Sequence, residues 1–175
     1  MNTFTDPRDR PAKFLVENIK LLPAGRVLDV AMGDGRNAIY LSGLGFQAEG
    51  VDISSEAVQK ALEAAKAQGI ELDAYAVDLE KEPFIRPEHY DVIICFRYLQ
   101  RALIPDMKKG LKAGGVVVYE TYTIDQIQFG KPKNPDFLLK PNELLNMFRD
   151  FHCIKYHEGV FEDKKATAGI IARKP

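Results

Sequence analysis

The chain has 175 residues with 24 Lys and Arg against 25 Asp and Glu, a formal charge of −1, so it offers no general positive field to a nucleic acid or an anionic membrane. Apolar residues make up 46% and charged residues 28%, the mixture of one globular domain rather than of a disordered chain. Cys95 and Cys153 lack CxxC spacing, which excludes a disulfide framework or a cysteine zinc cluster.

The start, Met1 to Arg10, is polar where a signal peptide needs an apolar stretch, and no uncharged apolar run approaches the ~18 residues of a membrane span. A cytoplasmic location with no anchor is expected. In chain order, Leu15, Ile19 and Leu22 share a helical face that Pro23-Ala24-Gly25 ends. Arg26 to Val30 predicts strand one, Arg36 to Leu44 a helix, and Phe46 to Val51 strand two. Val58, Ala61, Leu62 and Ala65 mark a helix closed by Gly69, and Leu72 to Val77 predicts strand three. Tyr90 to Phe96 is strand four, Pro105 to Lys112 a helix and Val116 to Thr121 strand five. Beyond a Pro- and Gly-rich stretch from Gly130 to Pro141, Leu144, Leu145 and Phe148 mark a helix, followed by strands His152 to Tyr156 and Thr167 to Ala172. Alternating β and α elements imply a doubly wound, mostly parallel seven-stranded sheet. The short link between the last two strands makes them an antiparallel hairpin at its edge.

In such a sheet the ligand sits beyond the carboxyl ends of the strands. The loop after strand one reads Asp29-Val30-Ala31-Met32-Gly33-Asp34-Gly35-Arg36-Asn37. Gly33 and Gly35 allow a tight turn and close approach of a ligand, and the next helix presents unpaired N–H groups. Asp52 ends strand two, where its carboxylate can accept both hydroxyls of a ribose. Asp78 ends strand three, so three neighbouring strands finish at a carboxylate and together read as a nucleoside-binding rim. A nicotinamide dinucleotide also satisfies Gly33-x-Gly35-x-x-Ala38 with a later acid. Against it stand the Asp within strand one, the closing hairpin and the lack of length for a substrate domain.

These residues resemble class I S-adenosylmethionine-dependent methyltransferases, whose first motif is Asp-x-Gly-x-Gly-x-Gly; here Ala31 replaces the first glycine. The resemblance implies a Rossmann-like methyltransferase fold over one domain, 1–175, with S-adenosyl-L-methionine as cofactor. It implies that Gly33 and Gly35 flank the methionine part, that Asp29 holds its amino group, that Asp52 takes the ribose and that Asp78 with Leu79 faces the adenine. Ala31, Arg36, Asn37, Ile53 and Phe96 complete the expected cofactor set. Gly35-Arg36-Asn37-Ala38-x-Tyr40-Leu41, Phe96-x-Tyr98-Leu99-x-Arg101 and Tyr119-Glu120-Thr121-Tyr122 are most similar to the tellurite-resistance methyltransferases and their small-molecule relatives.

Methyl transfer from a sulfonium is an in-line displacement governed by alignment, so candidate catalytic residues lie at the ends of strands four and five. Arg97 and Arg101 offer planar forks for an oxyanion or carboxylate, Tyr98 can border an apolar cavity, and Tyr122, past strand five, is either a substrate contact or a core-edge tyrosine. The Asp/Asn-Pro-Pro-Tyr/Phe tetrad is absent. The expected acceptor is a small molecule such as a thiol or chalcogen oxyanion, with neither nucleic acid nor membrane as partner, in a monomer or homodimer. A cofactor-binding module without turnover is the alternative. Residues 1–12 are expected to form either a flexible lid or a frayed terminus. A strand sends His152 and Cys153 to opposite faces, so no metal site is expected.

Overall fold

The computed structural model describes residues 10–175. Among them, the strands are β1 (Arg26–Val30), β2 (Gln47–Asp52), β3 (Asp73–Ala76), β4 (Tyr90–Phe96), β5 (Leu111–Tyr122), β6 (His152–Val160) and β7 (Ala166–Arg173). They form one seven-stranded sheet in the order β3-β2-β1-β4-β5-β7-β6. β1 to β5 run parallel, and β7 inserts antiparallel between β5 and β6. The order reverses between β1, paired with β2 on one side, and β4 on the other, which opens a crevice at their carboxyl ends.

The helices are α1 (Lys13–Glu17), α2 (Arg36–Gly43), α3 (Ser55–Ala67), α4 (Ile104–Gly110) and α5 (Glu143–Met147). Strand alternation divides the core between the two sheet faces. Val27, Ile94, Val118 and Ile171 pack with Phe14 and Leu15 of α1 and with Leu41 of α2. Leu28, Ile93, Val117 and Ile170 pack on the other face with Met107 of α4, Leu144 of α5 and Phe148. No helix among the described residues is long and apolar enough to cross a membrane.

Two elements depart from their predicted bounds, and one crossing departs from strict alternation of strand and helix. The first helix ends at Glu17 and a 3₁₀ turn follows over Ile19–Leu21. Asn18 Nδ2 donates to Phe14 O at 2.7 Å, offering the backbone an alternative to the next helical bond. The chain crosses from β3 to β4 without a helix among the described residues. That crossing is anchored by Arg86, whose Nη2 donates to Glu49 Oε2 of β2 at 2.5 Å, while Tyr90 Oη donates to Glu49 Oε1. Phe84 and Ile85 cover the sheet there in place of a helix. α4 stops at Gly110, and β5 starts at Leu111 with a register shift opposite Tyr90 and Val92. A Cβ at Gly110 would lie 2.5 Å from Ile85 Cγ2, so glycine permits the close approach of the crossing segment.

Candidate active site

The loop after β1 is built by backbone bonds and by three residues in the left-handed region. Ala31, Gly33 and Gly35 have φ of 54°, 59° and 77°. Met32 N–H donates to Val51 O at 3.0 Å, and Met32 packs into the space that Gly50 leaves, where a Cβ would lie 2.1 Å from the sulfur. At Gly35 a Cβ would meet Ala61 Cβ at 2.7 Å, so this glycine brings α2 against α3. At Gly33 a Cβ would meet nothing within 4 Å among the described residues, so the backbone there faces open space.

Asp29 is buried, and its Oδ2 has no hydrogen-bond partner among the described residues. Burial pushes its carboxyl up to about 8, against the lowering effects of the Ala38 N–H and of Arg36. An unpartnered buried carboxyl oxygen is costly unless something completes it; a cationic ligand would also restore its charge. Both oxygens of Asp52 hold backbone, Oδ2 the Gly33 N–H at 2.8 Å and Oδ1 the Ser54 N–H at 2.9 Å. Each oxygen keeps acceptor capacity for a hydroxyl. Next to it Ile53 is 70% exposed, an apolar side chain at the strand end. Leu79 packs partly into the core, and Asp78 holds the Glu80 N–H and Lys81; the bond from Lys81 keeps the Asp78 carboxyl below its usual value.

The remaining expected residues separate into two groups. Arg36 starts α2 half-buried; burial first, then the Arg97 charge, lower its guanidinium, opposed by Asp34, Asp29 and Tyr122. That places Arg36, Arg97 and Tyr122 within electrostatic reach of one another. Arg97 is exposed in a left-handed conformation, φ 57°, pinned by its N–H to Glu120 O at 2.9 Å. Arg97, Tyr98, Thr121, Tyr122, Lys131 and Phe137 line a cleft of about 800 Å³ over the ends of β4 and β5. Burial pushes the Tyr98 phenol up to about 12, with Glu80, Asp78 and Asp52 acting in the same direction. Phe96 and Tyr122 also border a second cavity, of about 610 Å³, on the α1 side of the sheet.

Arg101 and Asn37 have other employment. The Arg101 fork, expected to bind an anion, is engaged by Glu143 at 2.6 and 3.0 Å and by the carbonyls of Asp136 and Leu138 at 2.8 and 3.1 Å. It staples the 136–143 segment to the loop after β4 and is a positioning residue. Asn37 is buried, and its Oδ1 accepts the Ala12 N–H at 2.8 Å, which ties the chain before α1 to α2. Of the expected lid over 1–12, residues 1–9 lie outside the described residues. Lys131 and Phe137 were not among the expected site residues. Their stretch has no hydrophobic period, and its place over the cleft is set by the Arg101 bonds and the Leu139 N–H to Tyr122 O.

A family model described as tellurite resistance protein TehB matches residues 11–170. The probable S-adenosyl-L-methionine-dependent methyltransferase TehB of Haemophilus influenzae is 25% identical over 156 residues, covering 85% of this chain and 53% of that protein. A ubiquinone biosynthesis O-methyltransferase of Burkholderia vietnamiensis is 31% identical over 105 residues, 57% of this chain and 45% of that one. The chain thus spans about half the length of these curated relatives. The crystal structure of TehB from Haemophilus influenzae superposes with a TM-score of 0.78 at 22% identity, over 99% of this chain and 64% of that one. A SAM-dependent methyltransferase structure from Aquifex aeolicus gives 0.73 at 18%, over 97% and 94%. At these identities the solved structures establish the fold, the Rossmann-like one expected from the sequence.

Proposed function

Because this chain belongs to the family described as tellurite resistance protein TehB, we propose that it is an S-adenosylmethionine-dependent methyltransferase acting on a small-molecule acceptor, a thiol, a chalcogen oxyanion or a similar nucleophile. The observation that carries this reading is the buried Asp29 with its unpartnered Oδ2, set beside a glycine loop whose backbone faces open space at Gly33. A cationic amino group at Asp29 would complete that carboxylate and be neutralised by it, which an uncharged or purely anionic ligand cannot do. Asp52 accepts the ribose hydroxyls, Ile53 and Leu79 supply apolar surface for the adenine, and Asp78 stands at its edge. When bound, the cofactor supplies a methyl group on a sulfonium sulfur.

The chain's own residues then have separable tasks. The bonds that Asp52 makes to Gly33 and Ser54 hold the cradle before any ligand arrives, so little ordering remains to be done on binding. Arg97, with Arg36 nearby, attracts an acceptor bearing negative charge, and Tyr98, Tyr122 and Phe96 exclude water from the reacting atoms. Calorimetry with the cofactor and its demethylated product tests the first part, followed by a methyl-release assay over thiols, selenite, tellurite and halides. Binding of both, with transfer to at least one acceptor, supports the reading. Binding without any transfer leaves a cofactor-binding module, and NADH binding in place of the adenosyl ligands overturns the assignment.

A further inference from the structure

We infer that His157, oriented by Glu120 in the cavity on the α1 side of the sheet, takes the proton from a neutral hydroxyl or thiol acceptor seated among Phe14, Phe96 and Phe161. This rests on the methyltransferase reading above and adds to it the acceptor's chemical class, an X–H nucleophile on an apolar body.

The pair is assembled by three strands. Glu120 of β5 is the register partner of Gly169 on β7, and Gly169 is the partner of His157 on β6. In an unbroken β6, His157 would share the face of Cys153. Ile154 has no register partner, however, because Cys153 pairs with Ala172 and Lys155 with Ile171. This bulge reverses the side-chain phase and brings His157 to the face of Glu120. The central residue of the row is glycine, and a Cβ there would lie 2.4 Å from His157 Cε1. The imidazole therefore lies across the middle strand, with its Nε2 3.2 Å from Glu120 Oε2.

Its surroundings suit proton transfer more than structural pairing. Phe14 and Phe161 contact the ring edge-on at 4.7 and 5.1 Å between centroids, which fixes its plane. The two side chains remain 22% and 24% exposed and line the 610 Å³ cavity, which shares Arg97, Thr121 and Tyr122 with the cleft over β4 and β5. Lys155, the neighbouring charge on β6, is directed to Asn18 Oδ1 at 2.7 Å, and Lys165 at the cavity rim pairs with Asp163. Nε2 also has Thr167 Oγ1 at 3.5 Å; in the tautomer that gives Nε2–H to the Glu120 carboxylate, Nδ1 is left to accept a proton, the orientation a histidine base receives from an acid behind it. The bookkeeping is simple. The X–H proton passes to Nδ1, the freed lone pair forms the new bond to the methyl carbon, and the electrons of the broken carbon–sulfur bond stay on the sulfur. An oxyanion with no proton to lose would not need this histidine.

The test reads ionisation in the cofactor-free protein. The probe is 4-nitrophenol, which absorbs in the visible only as the anion, held just below its own ionisation midpoint, where the free probe is mostly protonated and an imidazole can still be neutral. Wild-type protein should bind it as the anion. His157→Asn and Gly169→Ala should lose the anion band, and Glu120→Gln should reduce it; unchanged affinity for S-adenosylhomocysteine shows that the variants fold. With an X–H acceptor, turnover of His157→Asn should fall by roughly 100-fold or more, while transfer to selenite or tellurite is spared. An anion band equal in wild type and His157→Asn, no band with the probe, or equal losses for both acceptor classes would overturn the inference. Failure of wild-type protein to bind the adenosyl ligands instead overturns the methyltransferase reading, and the probe experiment then judges His157 independently.

Discussion

Gly33 donates its backbone N–H to Asp52 Oδ2 at 2.8 Å, so the loop after β1 and the end of β2 form one unit. Asp52 thus holds the loop, and under the proposed function it also accepts a ligand hydroxyl. Asp52→Ala is expected to weaken adenosyl binding by roughly tenfold or more and to lower thermal stability, because charge-assisted bonds to two backbone N–H groups are lost. Calorimetry and a melting curve measure both; unchanged affinity would remove the ribose assignment.

If Asp29 receives the cofactor's amino group as proposed, ligand binding is coupled to its protonation. Its carboxyl ionises near 3.8 as a free group and at about 8 in the fold, through burial first. Between those values the folded state holds the extra proton, so the contribution of this group to stability is full below the lower value and is lost as pH rises toward the upper one. A ligand ammonium at Asp29 reverses the preference. Adenosyl binding at neutral pH should therefore release a proton, visible as a binding enthalpy that varies with the ionisation enthalpy of the buffer. Asp29→Asn should abolish that variation and flatten the pH–stability profile.

Ala31 sits at φ 54°, where an L-residue costs about 1–2 kcal/mol. Glycine removes that strain but loses about 0.5–1 kcal/mol of chain entropy. Ala31→Gly should therefore raise the melting temperature, by up to about 3–6 °C for a chain of this size. A lowered melting temperature would show that the methyl group makes compensating contacts.

Arg101 serves the fold through its bonds to Glu143, Asp136 and Leu138. Arg101→Ala should cost about 1–2 kcal/mol, discounted for the side chain's exposure, and Arg101→Lys should recover little because an ammonium cannot reproduce the fork. Denaturant titration checks this. Methyl transfer should keep its KM for an anionic acceptor in both variants, the outcome that separates a positioning residue from an acceptor ligand.

Gly169→Ala puts a methyl group into the imidazole of His157 and should destabilise by about 1–3 kcal/mol. His157→Ala should then remove most of that cost in the double variant, giving a coupling energy that a denaturation cycle reads. Additive effects would show that the glycine serves some other purpose.

The β1 loop was legible because its signals are local. A β-branched run, an acid and two glycines before a helix state a strand, a turn and a cradle within a dozen positions. Asp52 and Asp78 were legible for the same reason, each standing where a short apolar run ends. The closing hairpin followed from the brevity of its link. Arg101 was misread because a guanidinium suits a ligand anion and a structural carboxylate equally well, and only packing shows that Glu143 and two carbonyls engage it. The crossing from β3 to β4 was obscured in the same way, since its anchor pairs Arg86 with Glu49 from a distant strand.

The sequence by itself determined the parallel sheet, the row of carboxylates and the glycine turn after β1, since each depends on neighbours along the chain. Only the tertiary structure decided the face of His157 and its partner. The bulge at Ile154 is fixed by pairing with β7, and the meeting with Glu120 requires two other strands to place a glycine between them. Side-chain phase along one strand is a local property until a long-range hydrogen-bond ladder resets it.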